Sequence, residues 1–597
     1  MRMTAPLFPV RRRAARGAAA AAALAVCGAG WLGITGWAAH KDLNAVRTGV
    51  DEIRVHEQRG DMTAARTTAQ QVAGHAARAH RLTGGAPWAV ASRVPGLGSP
   101  LLTLRGISAA ADELGSVALP NLLTAGSALD PGQNRDPGTS IDVAALQRAE
   151  PAIDAVAASL DRAAAITRDL PRSTWLGAAD RARADVHSQL ERMTVMAGDA
   201  RETVTVLPRL LGSHGPKRYF LAFQNLAEAR GTGGLPGAFA IVQAKAGRVK
   251  FLRFENDGTL AGVRAGVDLG RDYDELYGDG HPEALYLNSN LSPHFPDAAR
   301  IWCSMWHRKT GQRLDGALAV DPVVLSYLLA VTGPAQLPDG SVVSADNVVA
   351  LTQNTAYVKF GEDIAARKEY LLQVARAAAE RVTHAHVDAV GLGRALARAA
   401  SERRLLVWSA DRRVQRSIAR TPLAGVVPRT AAPYAGLTII NSGGNKLDYY
   451  LDRSLDWDRA DCGSTVRSRV TVRLRNDVPP GMTDGYVIDR SDRRAYPTRP
   501  GDNRVMLYFA ATHGAVLRSA TLDGQQPLVL SGTEQGHPVF VIDVELPARQ
   551  QRTIVLEFDE PQADGVPIVL QQPLVRPLQT RVREIPCATA MAEGSRR

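Results

Sequence analysis

The chain has 597 residues, 45% hydrophobic and 22% charged, with a formal net charge of +11. That length exceeds a single core and that composition excludes a disordered chain, so about three or four domains are expected. The basic balance does not indicate nucleic acid, because the cations form no dense block interleaved with aromatics.

At the N-terminus, Arg2, Arg11, Arg12, Arg13 and Arg16 precede the uncharged run "GAAAAAALAVCGAGWLGITGWAA" at 17–39, and no acidic residue appears before Asp42. The pattern predicts a cytoplasmic basic tail (1–16) and a transmembrane anchor (17–39), with the bulk of the chain extracytoplasmic at the cell membrane. A cleaved signal peptide using the small residues near Gly36 to Ala39 is the alternative. Outside the cell, disulfides persist. Cys462 and Cys587 flank a β-rich segment and form the preferred pair, whereas Cys303, set beside Trp302 and close to Trp306, reads as a buried structural thiol.

Residues 40–212 are expected to form a helical bundle stalk. Leu146, Ile153, Val156, Leu160 and Ala163 follow a heptad-like spacing, and Val186, Leu190, Met193, Ala197, Ala200, Val204 and Leu207 step by four and three. The Gly- and Pro-rich stretch at 84–100 carries Trp88, Val90, Val94 and Leu97, as a short turn docking near a membrane surface would.

From about 213 to 430, β-like runs alternate with helical ones, which argues for an α/β core. From 434 to 575 the chain reads as an antiparallel β-sandwich, with Val466, Val470, Val472 and Leu474 on one face of a strand and Arg467, Arg469, Arg473 and Arg475 on the other. Residues 576–597 form a tail. The expected fold class is therefore multidomain α+β: transmembrane helix, helical stalk, α/β core and C-terminal sandwich.

"ARGTGGLPG", residues 229–237, is not a dinucleotide fingerprint, because Pro236 and an apolar strand follow where a helix should open. No P-loop, nucleophile elbow, H-E-x-x-H or C-x-x-C occurs. Gln224, Asn225, Glu228 and Arg230 fall at the end of an apolar strand, where α/β sheets place ligands. The same residues read equally well as a hydrogen-bonded loop in which Glu228 and Arg230 satisfy the backbone and each other.

"FQNLAEARGTGGLPGAFAIV", "NSNLSPHFPDAARIW", the run from "LDGALAVDPVV" to "NTAYVKF", and "GGNKLDYYLD" resemble the domain of unknown function 4012 family of actinobacterial envelope proteins, over roughly 214–450. In its order of features the core is also similar to the LytR-CpsA-Psr family, which moves glycopolymers from polyprenyl-pyrophosphate carriers onto the cell wall. That resemblance places Arg230 in the first polar loop, Asp257 in the acidic loop and Arg367 on the late helix. Asn256 stands where that family presents an arginine, leaving fewer cations for a transferring phosphoryl group.

The resemblance implies an envelope protein that binds or handles lipid-linked polysaccharide or cell-wall glycopolymer, through a ligand set of Asn225, Glu228, Arg230, Asp257 and Arg367. If the core is an active phosphotransferase, Arg230 and Arg367 grip pyrophosphate, and Asp257 with Glu228 acts as base or holds Mg2+. No other cofactor and no nucleic acid is implied. The membrane, the glycan and other envelope proteins are the expected partners. The alternative is a non-catalytic envelope scaffold or adhesion protein.

Overall fold

A computed structural model describes residues 10–58, 61–129, 141–384, 389–461, 463, 465–483, 485–492 and 496–586. Cys462 and Cys587, the expected disulfide, lie outside the described residues. The chain divides into two compact units, Met1–Gln133 with Val143–Leu207, and Asn134–Asp142 with Pro208–Arg597. The architecture is α+β, with several sheets.

The first unit is helical: α1 (Val10–Gln58), α2 (Met62–Gly84), α3 (Ala86–Ala91), α4 (Ser99–Glu113), α5 (Leu119–Leu129), α6 (Val143–Arg168) and α7 (Gly177–Leu210). No helix among the described residues is long and apolar enough to cross a membrane. This overturns the single-pass anchor, and with it the expected membrane localisation and the topology drawn from it. The expected span holds ten alanines and five glycines in 23 residues, and such small side chains bury little apolar area each. Its C-terminal part also packs against protein: Ala39 is fully buried, and Trp88 of α3 donates its indole N–H to Thr35 at 3.0 Å.

Alanine-rich helix faces let these helices approach closely. Ala157, Leu160, Ala163 and Ala164 of α6 pack with Leu190 and Ala197 of α7. The stripe expected along α7 is narrower than its spacing suggested. Leu190, Ala197 and Val204, seven apart, are buried, whereas Met193 and Ala200 are exposed.

The second unit opens with β1 (Lys217–Arg230), β2 (Gly233–Lys245) and β3 (Arg248–Asn256), followed by α8 (Arg271–Tyr277), α9 (Phe295–Thr310), β4 (Gly316–Val320), α10 (Pro322–Thr332), the small ribbon β5 (Ala335–Gln336) and β6 (Val342–Val343), α11 (Val348–Ala350), α12 (Ala356–Phe360), α13 (Ile364–His384), α14 (Ala389–Ser401), β7 (Leu406–Ser409) and α15 (Arg412–Ile418). The main sheet runs β3-β2-β1-β4-β7. β1 is parallel to β4, and the other pairs are antiparallel. Alternate residues of β1 serve opposite faces, as the period of two requires. Phe220 and Ala222 join Trp302 and Trp306 of α9 in one core, while Tyr219 and Leu221 join Val324 of α10 and Ala399 of α14 in the other. Cys303, partly buried beside the first of these cores, has its thiol pushed up to about 12 by burial and then by Asp315, so it is not a nucleophile at neutral pH.

The remaining elements are β8 (Tyr434–Asn441), β9 (Leu451–Asp461), β10 (Thr465–Asn476), α16 (Gly485–Ile488), β11 (Asn503–Ala510), β12 (Val516–Leu522), β13 (Leu530–Glu534), β14 (His537–Leu546), β15 (Gln551–Pro561), β16 (Ile568–Gln571) and β17 (Gln579–Glu584). They form two five-stranded sheets, β12-β15-β10-β9-β17 and β13-β14-β11-β8-β16. One apolar core joins them, with Trp457, Val470, Leu474 and Leu556 from the first sheet and Leu437, Leu507, Phe509 and Ile542 from the second. The sheets are not purely antiparallel, since β17 and β16 add as parallel edges to β9 and β8.

Candidate functional site

The glycine-rich segment is the tip of a hairpin rather than an open loop. β1 continues through Arg230 and β2 resumes at Gly233. The register shifts between Phe223/Gln224 and again between Asn225/Ala229, so the intervening residues bulge from the ladder. Side chains then take over the backbone donors that the bulge releases. Asn225 Oδ1 (3.0 Å) and Gln353 Oε1 (3.1 Å) accept from the Ala227 N–H, and Asp448 Oδ2 accepts from the Ala229 N–H at 2.8 Å. Gln353 lies in a π-helical turn, Leu351–Thr355. Glycine is required by close approach: a Cβ on Gly231 would sit 2.1 Å from the Leu291 carbonyl oxygen, and one on Gly234 would sit 2.2 Å from that of Asn225.

Three of the five expected ligand residues gather around the stacked rings of Tyr357 and Tyr486, whose centroids are 5.9 Å apart. Asn225 Nδ2 donates to the Tyr357 hydroxyl at 2.8 Å. The Arg367 guanidinium lies 3.7 Å from the Tyr486 centroid, and Lys446 Nζ lies 5.3 Å from that of Tyr357. Glu228 pairs with Lys446, both being buried. Asp257 borders the group, paired with Lys368 at 2.6 Å.

Arg230 is turned to other work. Its guanidinium donates to the carbonyls of Ala229 (2.9 Å), Asn441 (3.2 Å) and Leu287 (3.3 Å) and to Asn288 Oδ1 (3.2 Å). Burial lowers it to about 10, against the pull of Asp448.

The cluster is therefore closed. Arg230 and Arg367 are nine-tenths buried and hold internal partners, Arg367 donating to the Gly361 carbonyl at 2.5 Å, so neither presents a fork to a pyrophosphate. Nor do Asp257 and Glu228 fit Mg2+, which demands a near-octahedral oxygen shell. Each carboxylate is matched by its own lysine, and no group of three metal-ligating side chains occurs among the described residues. Arg367→Ala is expected to lower stability by about 1–2 kcal/mol through lost ring and carbonyl contacts, a change that a denaturation curve would read directly.

An open cleft lies elsewhere in this unit. A cleft of about 410 Å³ is lined by Tyr273 and Tyr277 of α8, Asp297 of α9, Arg429, and the β13–β14 turn carrying Glu534 and Gln535. That turn is a two-residue hairpin connection in which Gln535 (φ 50°) and Gly536 (φ 88°) both adopt left-handed backbone, as a primed turn needs. It carries Glu534 into the α8–α9 corner. There Glu534 accepts from the Ser292 hydroxyl at 2.6 Å and from the Tyr277 hydroxyl.

Burial raises Glu534, opposed by those two bonds and by the field of Arg403. Asp297 is raised to about 7, first by burial and then by the charge of Glu534, with Arg300 and a bond to Ser292 opposing. The Tyr273 hydroxyl is buried and has no hydrogen-bond partner, as is also true of the Tyr286 and Tyr434 hydroxyls; of these three tyrosines, Tyr273 is the one that lines the cleft.

None of these cleft residues was singled out from sequence. Four separated segments supply them, and no fixed spacing marks them. Asp297 and Lys446 both stood inside quoted motifs, "NSNLSPHFPDAARIW" and "GGNKLDYYLD", yet neither gave a sign that it would meet Glu534 or Glu228.

No curated protein and no solved structure matches the chain, and the expected likeness to the LytR-CpsA-Psr family finds no support. Residues 214–357 do match a family model described as a protein of unknown function, DUF4012. The match covers β1 through Tyr357 of α12, including the bulged hairpin and most of the helices around it. Over residues 214–357 the chain is similar to the DUF4012 family.

Proposed function

We propose that the protein binds a saccharide chain in the cleft between α8, α9 and the β13–β14 turn. One observation carries the reading: an open, mixed cavity lined by Tyr273, whose buried hydroxyl has no partner, beside the carboxylates of Asp297 and Glu534 and an arginine. Ligand sites are concave, with a few convergent polar groups and perturbed titratable side chains. A saccharide meets these terms because its hydroxyls both donate and accept, while its C–H faces suit tyrosine rings. Tyr273 lies 5.2 Å from Tyr277 between centroids, and Tyr277 stacks on Tyr508 at 5.5 Å, so the aromatic wall is braced from behind. The reading concerns binding and assigns no bond-breaking step.

Titration calorimetry of the full chain against a panel of short oligosaccharides tests it. Tyr273→Phe is expected to weaken binding about tenfold, the size of one hydrogen bond of about 1.4 kcal/mol. The same change removes an unsatisfied buried hydroxyl, so stability is expected to hold or rise. No binding by any member of the panel, or affinities indifferent to Tyr273→Phe and Arg429→Ala, would leave the non-catalytic scaffold as the better account.

A further inference from the structure

The chemistry at the base of the cleft selects among saccharides, an inference that rests on the saccharide-binding reading above. Ser292 has a single hydroxyl proton, which it directs to Glu534 Oε1 at 2.6 Å while its oxygen accepts the His294 N–H at 2.9 Å. Glu534 receives a second bond from Tyr277 on its other oxygen. Both oxygens of this buried carboxylate thus accept hydrogen bonds, the arrangement that suits its ionised form. Asp297 lines the same cleft as Glu534, and its carboxyl is raised first by burial and then by the charge of Glu534.

Two carboxyl groups held close in a poorly hydrated corner cannot both ionise cheaply, so one keeps a proton. We infer that this proton occupies the place of a cation, and that the cleft takes an amino saccharide whose ammonium group displaces it, settling against Asp297 with Glu534 behind. On binding, the protonated carboxyl of Asp297 and the ligand ammonium become a carboxylate–ammonium pair, and one proton leaves to solvent. No bond to carbon is made or broken. The unpartnered Tyr273 hydroxyl on the wall of the same cleft serves a neighbouring ligand oxygen.

The charges facing Asp297 fit this assignment. On its own helix Arg300 opposes the rise, while the capping residue His294 is neutral, pushed down to about 3 by burial and by Arg403, Arg429 and Arg300. From α8 come the Tyr273 and Tyr277 hydroxyls, together with Asp272 and Arg271, the arginine already paired with Glu275 at 2.6 Å. From the hairpin side come Glu534 and Arg429, whose Nε is tied to Gln535 at 3.0 Å. Arg403 directs its guanidinium to the carbonyls of Pro293, Gly425 and Val426. The cations are thus engaged with neighbours around the cleft, and Asp297 with Glu534 holds its base.

Calorimetry with a glucosamine disaccharide and its N-acetylated counterpart, in buffers of different ionisation enthalpy, tests the inference. The amino disaccharide should bind at least tenfold more tightly at pH 6, where Asp297 is mostly protonated, and release close to one proton. Its affinity should fall about tenfold between pH 6.5 and 5, a range in which the amine stays charged. Asp297→Asn, which keeps the shape and removes the titration, should erase the preference, the proton release and the pH dependence together. Methylammonium alone should bind far more weakly than the disaccharide; equal binding would mean that the corner recognises any amine and would overturn the saccharide part of the assignment. If both disaccharides bind alike and without a pH trend, this inference fails while saccharide binding stands. If neither binds, the saccharide reading itself falls.

Discussion

Lys446→Met is expected to destabilise the second unit by about 3–5 kcal/mol, among the largest effects of any single substitution in the chain. The residue is buried and in contact with Glu228, also buried. Burial pulls the ammonium down while Asp448 favours its charged form. Removing the cation leaves Glu228 uncompensated in a corner walled by Tyr357 and Tyr486, and that stranded charge is where most of the loss arises. The double substitution Lys446→Met with Glu228→Gln should recover much of it. Hydrogen exchange of β1 and β8 in the wild type and both variants distinguishes the outcomes: equal losses in the single and double variants would mean that the pair does not act as a unit.

Asp297→Asn is expected to act in the opposite direction and to depend on pH. The carboxyl is raised from an ordinary 3.8 to about 7 in the folded protein. Between those values the folded state binds a proton that the unfolded state has released, so this group's contribution to stability grows as pH falls from about 7 to about 4. Above pH 7 the full cost of a buried, crowded carboxylate is present, at most about 4 kcal/mol and less to the extent that water reaches it. Asparagine removes that cost, so the variant should exceed the wild type in stability at pH 7.5 and lose its advantage by pH 4. Urea denaturation followed at several pH values reads the difference. An advantage that stayed constant across the range would show that Asp297 does not titrate there.

What could be read from the sequence followed how local the cause was. The alternation in β10 was plain because a two-residue period is written in consecutive residues, and Val470, Val472 and Leu474 are indeed buried while Arg473 reaches out to Asp456 at 2.6 Å. The family motifs between 214 and 357 were equally plain, whereas "GGNKLDYYLD" lies beyond the matched residues. The membrane anchor was misread because a run without charges is not by itself strongly apolar when alanine and glycine fill it.

The hairpin tip was only partly legible. Its glycines announced unusual backbone, but the bulge is held by Gln353 and Asp448, residues far along the chain whose acceptors replace the broken ladder. For the same reason Arg230 looked like a ligand cation. Its true partners are mostly backbone carbonyls from Leu287 and Asn441, groups that every residue carries and no motif reveals. The cleft was hidden entirely, since Asp297 is an ordinary first-turn acid of α9 until the β13–β14 turn brings Glu534 beside it.

Crystals of the full chain soaked with an oligosaccharide selected by calorimetry would test the central claim most directly. The account predicts sugar density between α8, α9 and the β13–β14 turn, with a ligand oxygen on the Tyr273 hydroxyl. Sugar seated instead against the hairpin tip of Arg230, or a cleft left vacant at saturating ligand, would contradict it.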